Sequence, residues 1–275
     1  KRAAARAGGR QMTDHRWVLP GMLAAVLALA SPTLLAQEDE TASTELEPEA
    51  MAVLKSMADY LVGAETFAYR SVSGFDVVQD SGIKVEFGKS TRILVGRPDR
   101  LRIESQRRDG LRNVMVFDGE NIWAYSPDHN VYATTPQPGL LDESVDFVIS
   151  ELRVKAQMAD LISPKLYETV TSGLTRALYL GETVLAGMDC HHLLMSNDYA
   201  DFQLWVRTGD APLLRRIVIT YREEAGEPQF RASFLEWDMS PDDADTGFTF
   251  TPPDDAERVR FYIPGPQDVL SEDAS

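Results

Sequence analysis

The sequence predicts an α+β fold in which helices are grouped on one side of an antiparallel sheet. Two observations carry this prediction. Apolar residues recur every 3.6 positions in residues 50–61 and, with gaps, in residues 143–162, which is typical of helices. Through most of residues 66–133 and 176–238 the apolar period is two, which is typical of strands. Helix, strands, helices and strands follow one another without an internal repeat, and this order favours α+β.

The first predicted helix begins at Pro48 and ends at Gly63, where glycine can terminate a helix. The strand runs that follow cover residues 67–69, 83–87, 91–95, 101–103 and 114–117. Glycines punctuate these runs as turns or bulges, most clearly at Asp109-Gly110 and Asp118-Gly119. A meander of antiparallel strands is therefore expected.

The second half repeats this change of period. Pro164 breaks the helical stretch 143–162, and residues 165–170 add another helical turn. Strand patterns resume at residues 176–180, 191–195, 201–207, 214–221 and 229–238. No Pro-, Gly- or Ser-rich linker interrupts the middle of the chain, so residues 48–263 are predicted to form a single domain.

The N-terminal residues predict that the protein is exported. Residues 17–36 carry no charge and follow His15 and Arg16, which is typical of a secretory signal peptide. A membrane anchor is disfavoured by Pro20 and Pro32, and the mature protein is not expected to span a membrane. Residues 1–36 are thus predicted to be an upstream extension and signal peptide, cleaved after Ala36 or, alternatively, after Ala30. Residues 37–47 predict a disordered acidic leader and residues 264–275 a flexible tail.

Charge and motif content exclude several functions. The chain has 43 acidic and 27 basic residues, a net charge of −16, which disfavours nucleic acid as a partner. The sequence Cys190-His191-His192 is the densest group of potential metal ligands, but alternate residues of a strand face opposite ways, so no metal site is predicted. No nucleophile elbow, phosphate-binding loop or dinucleotide fingerprint is present, so neither an enzyme nor a cofactor is expected.

Three short motifs carry a resemblance to a known family. They are Gly96-Arg97-Pro98-Asp99-Arg100-Leu101-Arg102, the segment from Phe117 to Pro127 that begins with Phe117-Asp118-Gly119, and Phe248-Thr249-Phe250-Thr251-Pro252-Pro253. Their order resembles that of the periplasmic carrier of outer-membrane lipoproteins. The mature chain is more closely similar to a predicted periplasmic family, domain of unknown function 2092. The resemblance covers nearly all of residues 48–261.

The resemblance implies a strongly curved antiparallel β half-barrel with helices packed as a lid on the concave face, over an apolar cavity. A curved sheet cannot fill its own concave face, so helices or a ligand must cover it. In the carrier family an arginine before proline hydrogen-bonds the lid, and the matching residue is Arg97. The resemblance therefore implies that Arg97 is a lid latch, although residues 143–166 differ from the corresponding carrier segment.

Strand parity supplies the candidate cavity residues. On strand 201–207 one apolar face alternates with a polar one, and neighbouring strands continue the apolar face. Trp123 and Tyr125 share a face of an earlier strand; they are either cavity residues or plain core. The complete set of cavity candidates is Trp123, Tyr125, Phe202, Leu204, Val206, Ile217, Ile219, Phe230 and Phe234.

These observations predict a periplasmic, non-enzymatic binding protein. Its partner would be an apolar ligand or a lipidated protein, and the role that of a carrier or sensor of a lipid, a lipoprotein acyl chain or another apolar molecule. The alternative is an envelope structural or interaction protein whose cavity is filled by its own side chains and whose surface docks an envelope protein. An inward phenylalanine serves either purpose, so the sequence leaves both open.

Overall fold

The computed structural model describes residues 45–152, 158–242 and 247–261. The predicted signal peptide and tail lie outside these described residues, as does most of the predicted leader. The helices are α1 (Pro48–Val62), α2 (Leu141–Ser150), a 3₁₀-helix (Ala159–Ile162) and α3 (Leu166–Thr171). The strands are β1 (Glu45–Leu46), β2 (Thr66–Val78), β3 (Lys84–Gly96), β4 (Arg100–Arg107), β5 (Arg112–Phe117), β6 (Asn121–Ser126), β7 (Val131–Pro136), β8 (Arg176–Leu185), β9 (Met188–Ser196), β10 (Ala200–Arg207), β11 (Leu214–Tyr221), β12 (Gln229–Asp238) and β13 (Glu257–Arg258).

Over the described residues the strands form one open sheet. Its order is β1-β8-β9-β10-β11-β12-β2-β3-β4-β5-β6-β7-β13. All pairs are antiparallel except the two-residue strands at the edges, β1 on β8 and β13 on β7, which are parallel. The first long strand, β2, therefore sits in the middle, between the meander that follows it and the last long strand, β12. The predicted fold class, an α+β half-barrel with helices on its concave face, is confirmed.

Two glycines that the sequence marks as turns or bulges lie inside the longest ladder. Gly74 of β2 is the cross-strand partner of Gly88 of β3, so the predicted runs 83–87 and 91–95 merge, from Lys84 onward, into one strand. A Cβ atom on Gly88 would collide with the carbonyl oxygen of Ser73. Glycine is required here because the two strands approach closely, and the hairpin continues through it instead of ending.

The predicted acidic leader ends earlier than the sequence suggests. Glu45 and Leu46 form the edge strand β1, and the backbone N–H of Glu45 donates to the carbonyl of Thr175 at 2.9 Å. The Glu47 carboxylate accepts from the backbone N–H of Tyr179 at 2.7 Å. The acidic composition predicts disorder for residues 45–47. Strand β1 forms nevertheless, because backbone pairing with β8 does not depend on apolar side chains.

Helix α1 packs on one half of the sheet. Its buried residues are Ala50, Leu54, Met57, Ala58 and Leu61, spaced along one helical face as the sequence predicts. The helix contacts β8, α3 and the 3₁₀-helix. Helix α1 therefore covers the half of the sheet that contains β8. Among the described residues, no helix combines the length and the apolarity needed to cross a membrane.

Two of the three motifs that carry the resemblance meet on the face of the sheet opposite to the helices. Phe248 packs against Ala68 and Leu94, on the face of β2 and β3 opposite to α1. Gly96 lies so close that a Cβ atom there would be 2.6 Å from Cζ of the Phe248 ring. The guanidinium of Arg100 stacks over the same ring, 4.8 Å from its centroid. Glycine at position 96 thus makes room for the ring that the last motif supplies.

The middle motif forms a tight turn. The Asp118 carboxylate accepts hydrogen bonds from the backbone N–H groups of Glu120 and Asn121 and from Nε1 of Trp123, at 2.7–3.0 Å. The Trp123 ring lies 5.8 Å from Phe250 of the last motif. The C-terminal segment that carries the last motif therefore crosses the meander on the face opposite to the helices, where it contacts the middle motif.

We expect Gly96→Ala to destabilise the fold, because the added methyl overlaps the Phe248 ring; overpacking of this kind costs about 1–3 kcal/mol. Equilibrium unfolding in urea measures this cost. In the double variant Gly96→Ala/Phe248→Leu the smaller side chain should recover part of the Gly96→Ala loss, relative to Phe248→Leu alone. Strictly additive effects would show that the two positions do not touch.

Candidate functional site

The half of the sheet that α1 leaves uncovered encloses a cavity of about 550 Å³. Strands β2 to β7 and β12 form its floor, and α2, the 3₁₀-helix and residues 259–261 form the opposite wall. This size falls within the range of small-molecule binding sites, about 300–1,000 Å³. The concave face is therefore only partly filled by the protein's own helices.

The cavity floor is built from cross-strand rows. Alternate residues of a strand face the same side, so residues paired across neighbouring strands line up. One such row, which we call the apolar row, lines the cavity with Tyr69, Ile93, Ile103, Met115, Ala124 and Ala133. Beyond it, towards the β3–β4 turn, lies a fully buried row that contains Phe67, Val95, Leu101, Phe117 and Ile122.

A polar row follows on the other side of the apolar row. It consists of Ser71, Thr91, Ser105 and Asn113, which are cross-strand partners on β2, β3, β4 and β5 and all line the cavity. Two residues along a strand correspond to about 7 Å, so the cavity wall changes from hydrocarbon to hydroxyl and amide groups within one step. One step further, Ser73 and Lys89 are the last paired residues of β2 and β3 on this wall.

Helix α2 supplies the opposite wall. Leu141, Ser144, Val145, Val148 and Ile149 line the cavity at helical spacing. The helix begins where the backbone N–H of Leu141 donates to the carbonyl of Pro98 at 2.9 Å. The first turn is thus attached directly to the residue that follows Arg97.

Arg97 joins three elements. Its Nη1 donates to the carbonyl of Ile162, the last residue of the 3₁₀-helix, at 2.9 Å. Its Nε donates to the carbonyl of Ala64, between α1 and β2, at 3.2 Å. The side chain is half-buried over the Phe67 ring, and burial lowers the pKa of its guanidinium. Arg97 therefore links the 3₁₀-helix to the connection between α1 and β2, and its role as a lid latch stays a prediction.

Two buried hydroxyls line the cavity without a hydrogen-bond partner in the described part of the chain. They are Oη of Tyr69 and Oγ of Ser144, and each residue is 3% exposed. Burial raises the pKa of the Tyr69 phenol. Because an unpaired buried hydroxyl is costly, these two atoms are available to a polar group within a ligand.

The structure divides the sequence-derived cavity candidates between two places. Phe230 lines the 550 Å³ cavity. Phe202, Leu204, Ile217 and Ile219 line a second cavity of about 190 Å³, enclosed by β9 to β11, α1 and α3. The sequence thus identified the inward face of these strands, and α1 covers much of it.

The remaining candidates pack mainly against other parts of the protein. Val206 and Phe234 are buried in the core and line neither cavity. Trp123 also lines neither. Tyr125 borders the larger cavity, while its ring lies 5.5 Å from Phe250, next to that of Trp123. The shared face of this pair packs against the C-terminal segment.

The residues that sequence reasoning missed are those of the meander, β2 to β5. Their apolar and polar rows appear only when four strands are aligned in register, and the sequence does not provide the register. The available signal is a serine or threonine two positions away from an inward-facing apolar residue, as at Ser71 and Thr91. Read one strand at a time, that signal is indistinguishable from a solvated edge.

The group Cys190-His191-His192 is distributed over both faces of β9. Cys190 is fully buried, and burial raises the pKa of its thiol. His191 Nδ1 lies 3.0 Å from Oη of Tyr179, and the His192 ring stacks on Trp205 at 4.3 Å. Within the described ranges no three His, Cys, Asp or Glu residues are placed to share a metal ion.

The chain matches a known protein family over most of its length. Residues 50–262 match the family described as Predicted periplasmic protein (DUF2092), which is the larger part of the chain. The chain belongs to this family. The match confirms the resemblance found in the sequence and spans nearly every element from α1 to the end of the cavity wall. No curated protein matches the chain.

Several solved structures are similar to this DUF2092 protein. An uncharacterized conserved protein from Thermus thermophilus is 16% identical over 77% of this chain and 99% of its own, with a TM-score of 0.43. The Mycobacterium tuberculosis lipoprotein LppX is 15% identical over 72% of this chain and 100% of its own, with a TM-score of 0.43. A LolA-superfamily protein from Nitrosomonas europaea is 12% identical over 73% and 97%, with a TM-score of 0.35.

We expect Arg97→Leu to loosen the helices that cover the cavity. A hydrogen bond from a charged group is worth about 1.5–3 kcal/mol, enough for a roughly tenfold or larger change in an opening equilibrium. Hydrogen exchange of residues 141–150 and 159–162 should therefore accelerate by about that factor, while β10 to β12 stay protected.

Arg100→Leu is the matched control, since it removes a guanidinium of the same motif that stacks on Phe248 rather than on the covering helices. If both variants exchange at the same rate in residues 141–150 and 159–162, Arg97 does not hold these helices.

Proposed function

We propose that this protein is exported through a cleaved signal peptide, with cleavage near Ala36, and acts in the periplasm as a non-enzymatic binding protein. It would carry or sense a lipid, a lipoprotein acyl chain or another apolar molecule. The family description as periplasmic supports the location. The observation that carries the binding role is the 550 Å³ cavity, whose floor is the apolar row and whose opposite wall is the apolar face of α2.

The energetics of such binding are sufficient without a covalent step. Burial of about ten methylene groups at about 0.8 kcal/mol each supplies roughly 8 kcal/mol before the costs of association. That corresponds to an affinity near the micromolar range at best. The unpaired hydroxyls of Tyr69 and Ser144 would pair with a neutral polar group within the ligand, such as an ester oxygen.

A second candidate function is that of an envelope interaction protein. The end of the β2–β3 hairpin exposes apolar side chains beyond the cavity, of which Ile83 is 64% and Phe87 is 47% exposed. The Phe75 and Phe87 rings stack across the hairpin with centroids 6.0 Å apart. An apolar surface of this kind favours contact with a partner or a lipid surface. This role and ligand binding are compatible.

The binding role is tested with Nile red, an uncharged dye that fluoresces in apolar surroundings. We expect the wild-type protein to bind it and Ala124→Phe to bind it roughly tenfold more weakly or worse, because the new ring extends from the apolar row into the cavity. Val72→Phe is the matched control, since Val72 lies on the opposite face of β2 and is 41% exposed.

Circular dichroism of both variants checks that the fold survives. If wild-type protein takes up no dye, or if both substitutions weaken uptake equally, the cavity is not the binding site and the interaction role becomes the better account.

A further inference from the structure

The charges that line the cavity are all positive. Among the described residues of its wall, Lys89 and Arg260 are the charged ones, and neither aspartate nor glutamate is present. The chain as a whole has the opposite bias, with 43 acidic and 27 basic residues. An acidic protein that presents only cations to its cavity is electrostatically suited to an anionic ligand group.

Lys89 is the more informative of the two cations. It shares the concave face of β3 with Thr91 and Ile93, and its cross-strand partners are Ser73 and Arg107. The Arg107 guanidinium is already paired with Asp109 at 2.6 Å. No hydrogen bond or ion pair links the Lys89 ammonium to any residue that the structure describes, and burial lowers its pKa.

The other face of the same strand shows the contrast. Lys84, five residues earlier, points away from the cavity and donates to the carbonyl of Glu227 at 2.9 Å. An exposed lysine thus has a partner, while the half-buried Lys89 has none within the described ranges. Because burial disfavours the charged ammonium, an anion placed beside Lys89 would offset that cost.

The polar row completes the surroundings of Lys89. The side chains of Ser71, Thr91, Ser105 and Asn113 form no hydrogen bond with the described residues, although each carries at least one donor. These donors lie between the ammonium and the apolar row. The cavity wall therefore offers hydrocarbon, then neutral donors, then a cation, in the order in which an amphiphile presents chain, linkage and head group.

We propose that the ligand is an amphiphile with an anionic oxygen head group, a carboxylate or a phosphate, which binds at Lys89 and the polar row while its chain lies along the apolar row. This proposal rests on the proposed function and adds the class and orientation of the ligand. Arg260, exposed on the C-terminal segment of the wall, is a second cation for the same head group. A lysine ammonium is a compact point charge that donates hydrogen bonds, so it can bind either oxyanion.

The test compares three ligands with the same chain: dodecanoate, dodecyl phosphate and uncharged dodecanol, each measured by displacement of Nile red. We expect the two anions to bind wild-type protein about tenfold more tightly than the alcohol. Lys89→Met should remove this preference and leave dodecanol unchanged, whereas Lys89→Arg should retain it. Lys84→Met, which removes one positive charge on the other face of β3, is the control and should also retain it.

Equal affinities of wild-type protein for the three ligands, or an anion preference that persists in Lys89→Met, would overturn the proposal while Nile red binding still supports a cavity. Failure of Nile red to bind at all would instead refute the proposed function. Should only one of the two anions be preferred, the head group is that anion, and the assignment to Lys89 stands on the loss in Lys89→Met.

Discussion

The structure depends on how the concave face of its single curved sheet is covered. A single curved sheet presents half of its side chains to its own interior, and no second sheet faces them. Helix α1 is 15 residues long, contacts β8 and faces β9 to β11 across the smaller cavity. The meander β2 to β7 is left to α2 and the 3₁₀-helix. One half of the fold is consequently largely filled and keeps a cavity of about 190 Å³, whereas the other half encloses the cavity of about 550 Å³.

Besides the β12–β2 ladder, one short motif links the two halves. Gly96 admits Phe248 behind the sheet, Arg97 donates to the carbonyls of Ala64 and Ile162, and Pro98 accepts from the first turn of α2. The end of β3 is therefore in contact with the end of α1, with both covering helices and with the C-terminal segment. Four elements thus meet at this motif.

The sequence predicted elements better than it predicted the site. The bounds of β11 and β12 coincide with the predicted strands 214–221 and 229–238, because proline-containing turns on either side leave little freedom for the strand ends. The site depends on register and on where α1 packs, which are tertiary properties. Leu204 and Lys89 illustrate this: both face inward, but α1 covers the first, and cross-strand alignment is needed to place the second beside the polar row.

The most direct test of the account is native mass spectrometry of wild-type protein purified without detergent from the periplasm of a producing cell. The account predicts a second species, heavier than the polypeptide by the mass of an acidic lipid, that releases the lipid as an anion on collisional activation. A spectrum that contains only the bare polypeptide, before and after incubation with a total lipid extract, would contradict it.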